Sequence, residues 1–149
     1  TLKGKVDRID RTPDGSLAIV DYKTGQPPSA AEVTAGYAMQ LGLLGLIAEH
    51  GGFEDIDGTP LTFEYWSLAK NRDVFGQIKT PFSPKGDIGP DNFIAHAADV
   101  LTKAVAKWLT GNAPFTAKIA PEYSPYPDYD QLMRFDEWYG RDADTEDKA

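Results

Sequence analysis

Cysteine is absent from the 149 residues, and histidine and methionine occur only twice each. Without Cys the chain can form no disulfide, no thiolate zinc site and no cysteine-ligated iron–sulfur cluster. That absence is compatible with a cytoplasmic protein. His50 and His96 have no second His at ligand spacing, so structural roles are expected for both. No apolar run approaches the roughly 20 residues of a membrane span, and the opening Thr-Leu-Lys-Gly-Lys has no signal-peptide core. Positive charge is also scarce: fifteen Lys plus Arg stand against twenty-three Asp plus Glu, a formal net charge of −8. Neutralising phosphates needs clustered Lys and Arg, which argues against a simple basic nucleic-acid binder. It leaves open an enzyme whose acidic residues bind metal. Half of the net charge lies in residues 136–149. Residues 141–149 have no apolar periodicity and read as a solvated acidic tail behind a single domain spanning 1–140. The chain begins on Thr1 in strand-like sequence, as a piece of a longer protein would.

What is present reads as β-β-α-β-(β)-α, an α/β domain with a mixed sheet. Residues 2–11 and 16–23 form a predicted hairpin around Thr12-Pro13-Asp14-Gly15, where Pro fixes φ and Gly accepts a positive φ. After Gly25-Gln26-Pro27-Pro28, Ser29 and Glu32 have capping-box spacing and open a helix expected to run to about His50. Its periodic face carries Val33, Tyr37, Gln40, Leu41, Leu44 and Ile47. Residues 61–69 read as a third strand and 74–79 as a short fourth. An amphipathic helix is expected over 92–110, with Ile94, Ala97, Ala98, Leu101, Val105, Trp108 and Leu109 inward. A short helix is expected at Tyr129–Tyr139.

A hairpin centred on Asp14 places Ile9 opposite Ile19, Lys5 opposite Lys23 and Asp7 opposite Asp21. Directly opposed Cβ atoms lie about 4.5–5.5 Å apart, where like charges repel. Two such carboxylates call for a bound cation or a shared proton. Oxygen ligands of this kind suit Mg²⁺ or Mn²⁺, which take one or two protein carboxylates and complete their shell with water and phosphate. Strand alternation puts Lys23 on the same face as Asp21. Two acids and a lysine then form a candidate phosphoryl-transfer site. A one-residue slip or a bulge would instead leave ordinary solvated charges.

Gly4-Lys5-Val6-Asp7-Arg8-Ile9-Asp10, Ile19-Val20-Asp21-Tyr22-Lys23-Thr24-Gly25 and Gln40-Leu41 resemble motifs of the RecB-like branch of the PD-(D/E)xK nucleases. The resemblance implies a restriction-endonuclease-like core lacking its N-terminal helical part, and a metal-dependent catalytic centre at Asp7, Asp21 and Lys23. It adds the main-chain carbonyl of Tyr22 to the metal shell and gives Gln40 a role at the site. The family's tyrosine after that glutamine is here Leu44. The chain is similar, more narrowly, to AddB-type nuclease domains, through Asp-Tyr-Lys-Thr-Gly-Gln-Pro-Pro, residues 48–53, the strand at 61–69 and residues 129–134 with Glu137-Trp138. This implies a Mg²⁺-dependent exonuclease acting on unwound DNA strands beside an AddA-like helicase–nuclease subunit in cytoplasmic double-strand break repair. Many AddB-type domains staple their C-terminal region with an iron–sulfur cluster. Lacking Cys, this chain is expected to hold Tyr123–Tyr139 by aromatic packing.

Other residues admit plainer readings. Arg8 and Asp10 are expected to form a local ion pair on the opposite hairpin face. Trp66, Trp108 and Trp138, with Tyr65, are either stacking platforms for single-stranded DNA or packing residues, and core packing is expected for Trp66 and Trp108. Lys70, Arg72, Lys79 and Lys85 are candidates for backbone contact or a solvated rim. The rival functional classes are a strand-guiding or assembly domain with little catalysis, and a stand-alone RecB-like exonuclease.

Overall fold

The computed structural model describes residues 1–71, 74–115, 118, 120–124, 128–134 and 137. The chain divides into two compact units, Thr1–Asn112 and Ala113–Ala149. The first contains a four-stranded sheet in the order β1-β2-β3-β4, formed by β1 (Arg8–Arg11), β2 (Leu17–Lys23), β3 (Pro60–Asn71) and β4 (Val74–Lys79). The β1–β2 and β3–β4 pairs are antiparallel, whereas β2 and β3 run parallel. The sheet is mixed, as expected, because a parallel pair needs a long crossover. Here that crossover contains α1 (Ala30–Thr34) and α2 (Gln40–Glu49), and α3 (Pro90–Ala104) follows β4.

The hairpin register is the expected one, with Ile9 opposite Ile19 and Arg8 opposite Val20. The strand is shorter than expected, however. The ladder ends at Arg8, so neither Asp7–Asp21 nor Lys5–Lys23 is a ladder pair.

The predicted single helix over 29–50 is broken in two. Ser29 caps α1 with the expected capping box, and the helix then closes in a Schellman motif, Gly36 N–H donating to the Val33 carbonyl and Tyr37 N–H to that of Glu32. Gly36 takes φ +84, and a Cβ there would sit 3.1 Å from the Val100 side chain. Tyr37 is therefore exposed in the connection, off the apolar face on which periodicity had placed it.

Gly42 and Gly45 let α2 lie close against its neighbours. A Cβ at Gly42 would meet Ala97 Cβ at 2.7 Å, and one at Gly45 would meet Phe63 Cε1 at 2.8 Å. The core gathers Leu17, Ile19, Val33, Leu41, Leu44, Phe63, Tyr65, Phe93 and Ala97. Edge-to-face contacts at 5.0 Å (Phe63–Phe93) and 5.1 Å (Phe82–Phe93) join the sheet, the loop after β4 and α3.

The final helix begins at Pro90, two residues earlier than expected, and Gly89 donates its N–H to the Asn92 side chain at 2.8 Å. Beyond Ala104 it widens into a π-helical turn, Val105–Leu109. That change of pitch rotates the end of the predicted apolar face outward, and Leu109 is exposed rather than inward.

In the second unit, Pro121–Tyr123 form a 3-10 turn and Lys118 pairs with Asp130. Residues 128–134 form turns rather than the expected helix, and Arg134 has a positive φ of 52°. Glu137, also in the predicted 129–139 helix, is helical; residues 135, 136, 138 and 139 of that span, Arg72 and the 141–149 tail lie outside the described residues. Much of the predicted aromatic packing of Tyr123–Tyr139 falls there too.

Candidate metal centre

β2 is buried from Leu17 through Asp21, the pattern of a central strand covered on both faces. Asp21 is the charge in that run, with only 3 % of its surface exposed. A carboxylate can stay there only if its oxygens find partners. Gln40, the first residue of α2, supplies one: its Nε2 donates to Asp21 Oδ1 at 2.7 Å. Lys23 supplies the other, its Nζ lying 2.7 Å from Asp21 Oδ2. The same ammonium donates to Gln40 Oε1 at 2.9 Å, closing a triangle of Asp21, Lys23 and Gln40.

This triangle sits where the carboxyl end of β2 meets the amino end of α2. In α/β folds, ligands collect outside the carboxyl ends of strands, and a helix amino terminus favours negative charge. The break in the predicted long helix is what places Gln40 at a helix start. A continuous helix would have made it an interior residue.

Asp7 joins from the other side. Its Oδ2 accepts a hydrogen bond from the Tyr22 backbone N–H at 3.0 Å, so the chain preceding β1 folds against β2 beyond the end of the ladder. Asp7 therefore lies beside the Asp21–Tyr22 peptide, as an amide acceptor rather than a cross-strand partner. Asp7, Asp21, Lys23 and Gln40 are thus linked by hydrogen bonds and an ion pair through Tyr22.

Tyr65 forms the buried side of the centre. It is the parallel-register partner of Asp21, it is completely buried, and the Lys23 ammonium lies 5.6 Å from its ring centroid. Burial pushes its phenol well above the usual tyrosine range, and the charges of Asp21 and Glu32 push the same way, so the hydroxyl keeps its proton. Alternation along residues 61–69 combined with the β2–β3 register identifies this position. Without that register Tyr65 reads only as a stacking platform or a packing residue.

Trp66 occupies the opposite face and is half-buried, not a core residue. Its ring meets Tyr22 edge-on at 5.9 Å, lies under the Arg8 guanidinium at 4.9 Å and donates Nε1–H to Glu64 at 2.7 Å. Trp108 is likewise only half-buried. Arg8 makes the expected ion pair with Asp10 at 2.7 Å, which holds its guanidinium above the ordinary range. His50 accepts a C-cap position with Nδ1 3.0 Å from the Leu46 carbonyl, and His96 lies 3.4 Å from that of Val33. Lys70 and Lys85 are exposed, and Lys79 is half-buried.

Among the described residues no cluster of three His, Cys, Asp or Glu side chains gathers. The oxygen groups that this linkage brings together are the Asp7 and Asp21 carboxylates. Asp21 Oδ2 is buried and accepts no hydrogen bond, its partner being the Lys23 ammonium. An all-oxygen set of this kind fits a hard divalent cation that keeps much of its water shell.

A mixed four-stranded sheet with flanking helices, carrying acids and a lysine at the end of its central strand, is a restriction-endonuclease-like α/β core. The profile of the PD-(D/E)XK nuclease superfamily matches residues 1–126, and the chain belongs to that superfamily. Its members are nucleases that typically use divalent metal ions. No curated protein and no solved structure matches the chain.

Proposed function

We propose that this domain is a Mg²⁺-dependent deoxyribonuclease that hydrolyses phosphodiester bonds of unwound DNA strands, with Asp7, Asp21, Lys23 and Gln40 as its working residues. The observation that carries the reading is the closed Asp21–Lys23–Gln40 triangle, joined to Asp7 through the Tyr22 amide. A fold needs no buried aspartate at this position, and two side chains, Lys23 and Gln40, are committed to holding it there.

Asp7, Asp21 and the Tyr22 carbonyl would hold the ion, Mg²⁺ or Mn²⁺ in its place, which supplies charge to polarise a phosphate and acidify water. Gln40 fixes the orientation of the Asp21 carboxylate through Oδ1. Lys23 carries the cation of the site, three N–H donors on a flexible stem, suited to charge developing on a phosphate oxygen. Because Lys23 is engaged with Asp21 and Gln40 in the free protein, it reaches substrate by exchanging the Asp21 contact for a phosphate oxygen.

The sequence likeness to AddB-type domains supports a narrower assignment: an exonuclease domain of a cytoplasmic helicase–nuclease that works with an AddA-like subunit in double-strand break repair. The negative charge of the chain agrees with a domain that gains DNA affinity from bound metal and from a partner. Cleavage of an end-labelled single-stranded oligonucleotide, with Mg²⁺ or with EDTA, tests the catalytic reading. Metal-dependent cleavage lost in Asp21→Ala and in Lys23→Ala is the expected outcome; undiminished cleavage in both variants refutes it.

A further inference from the structure

Among the described residues of the first unit, two buried side-chain atoms make no hydrogen bond: Asp21 Oδ2, which faces the Lys23 ammonium at 2.7 Å, and the Tyr65 hydroxyl. One is an acceptor and the other a donor. They belong to residues that are direct register partners on neighbouring parallel strands, and their side chains therefore project to the same face. A buried hydroxyl without a partner carries an uncompensated desolvation cost, which phenylalanine would avoid while filling nearly the same space. The tyrosine is thus poorly explained by packing. Its ring has a further contact that packing does not require, the Lys23 ammonium 5.6 Å from its centroid.

We infer that Tyr65 is a positioning residue of the metal centre: its ring carries the Lys23 ammonium, and its hydroxyl supplies the hydrogen bond that Asp21 Oδ2 lacks once Lys23 turns towards substrate. The inference rests on the nuclease reading above. In the free protein Lys23 neutralises Asp21 directly. When that contact is exchanged, Asp21 keeps Gln40 at Oδ1 but has no donor at Oδ2. Carboxylates that ligate metals are themselves oriented by outer hydrogen bonds, whose removal typically weakens metal binding by about 10–100-fold. Tyr65 offers a buried hydroxyl donor on the adjacent strand that makes no other hydrogen bond. Its complete burial keeps water from replacing it.

The test is Mn²⁺ binding by calorimetry on the full chain, unsubstituted and as Tyr65→Phe, with Asp21→Asn as the reference for a lost ligand. Tyr65→Phe is expected to weaken Mn²⁺ binding about tenfold, while its thermal midpoint stays equal to or above that of the parent. Binding within twofold of the parent overturns the role of the hydroxyl. Proton NMR of the Lys23 side chain tests the ring: the upfield shift from an aromatic face should persist in Tyr65→Phe and vanish in Tyr65→Leu. A Lys23 resonance unshifted in the parent chain overturns that part, and needs no variant to fold. If the parent chain binds no Mn²⁺, the metal-centre reading itself fails, an outcome distinct from equal binding by the parent and Tyr65→Phe.

Discussion

Asp14 precedes β2 and Asp21 lies within it, and their surroundings obey opposite rules. Asp14, in the hairpin turn, is fully exposed and satisfied by immediate neighbours: the Thr12 hydroxyl, the Ser16 hydroxyl at 2.9 Å and the Ser16 amide at 3.1 Å. Those donors hold its carboxyl below the usual aspartate range. Asp21 is buried and takes its partners from Lys23 on its own strand and from Gln40, within the helical crossover that follows it. An acid that shapes a turn can be self-sufficient within five residues of chain. An acid that waits for a cation has to be assembled by the tertiary fold, with an ammonium set against one of its oxygens.

Substitutions at the two acids should separate these roles cleanly. Asp21→Ala is expected to lower metal-dependent cleavage of single-stranded DNA by roughly a thousandfold or more, as loss of a metal-holding group in a preorganised site does. Asp14→Ala should leave the cleavage rate within twofold and act only on unfolding. Equal losses at both positions would erase the distinction. Gln40→Ala comes next, expected at about tenfold in rate, the scale of losing an outer partner of a metal ligand. A near-normal rate would show that Lys23 alone orients Asp21.

At the turn, Gly15 takes φ +88 with open space around it, so an alanine there meets backbone strain rather than a clash. Gly15→Ala should cost about 1–2 kcal/mol in urea unfolding, with the surviving folded protein fully active. The smallest effect belongs to the capping box. Ser29→Ala should remove about 1 kcal/mol. The Ser29 amide and hydroxyl hold the Glu32 carboxyl below its ordinary value of 4.5. Glu32 therefore stabilises the fold above about that pH, and the contribution disappears as pH falls through its lowered folded value. The stability difference between the parent and Ser29→Ala should narrow on acidification; a constant difference would contradict the assignment.

The turn was legible from sequence because everything that makes it lies within Thr12–Ser16, and the register that follows from it is observed from Arg8 to Arg11. The third strand, the final helix and the mixed sheet were legible for similar reasons of periodicity and punctuation. Two features were not. Gly36 sits inside an apolar pattern that continues on both sides, so periodicity alone joins α1 to α2; only the Schellman closure separates them. The pairing of Asp7 with Asp21 follows from extending the ladder, yet the strand stops one residue short and Asp7 turns to the Tyr22 amide instead. Motif likeness still pointed to Asp7, Asp21, Lys23 and Gln40. Their hydrogen-bonded linkage, and the place of Tyr65 beneath Lys23, emerge only when β3 is set beside β2.

Anomalous diffraction from a crystal of this chain soaked in Mn²⁺ tests the central claim most directly. The account predicts a manganese peak coordinated by the Asp7 and Asp21 carboxylates, with Lys23 displaced from Asp21 Oδ2. A fully soaked crystal with no peak at these carboxylates, or with manganese bound only elsewhere and the Asp21–Lys23 contact intact, would contradict it.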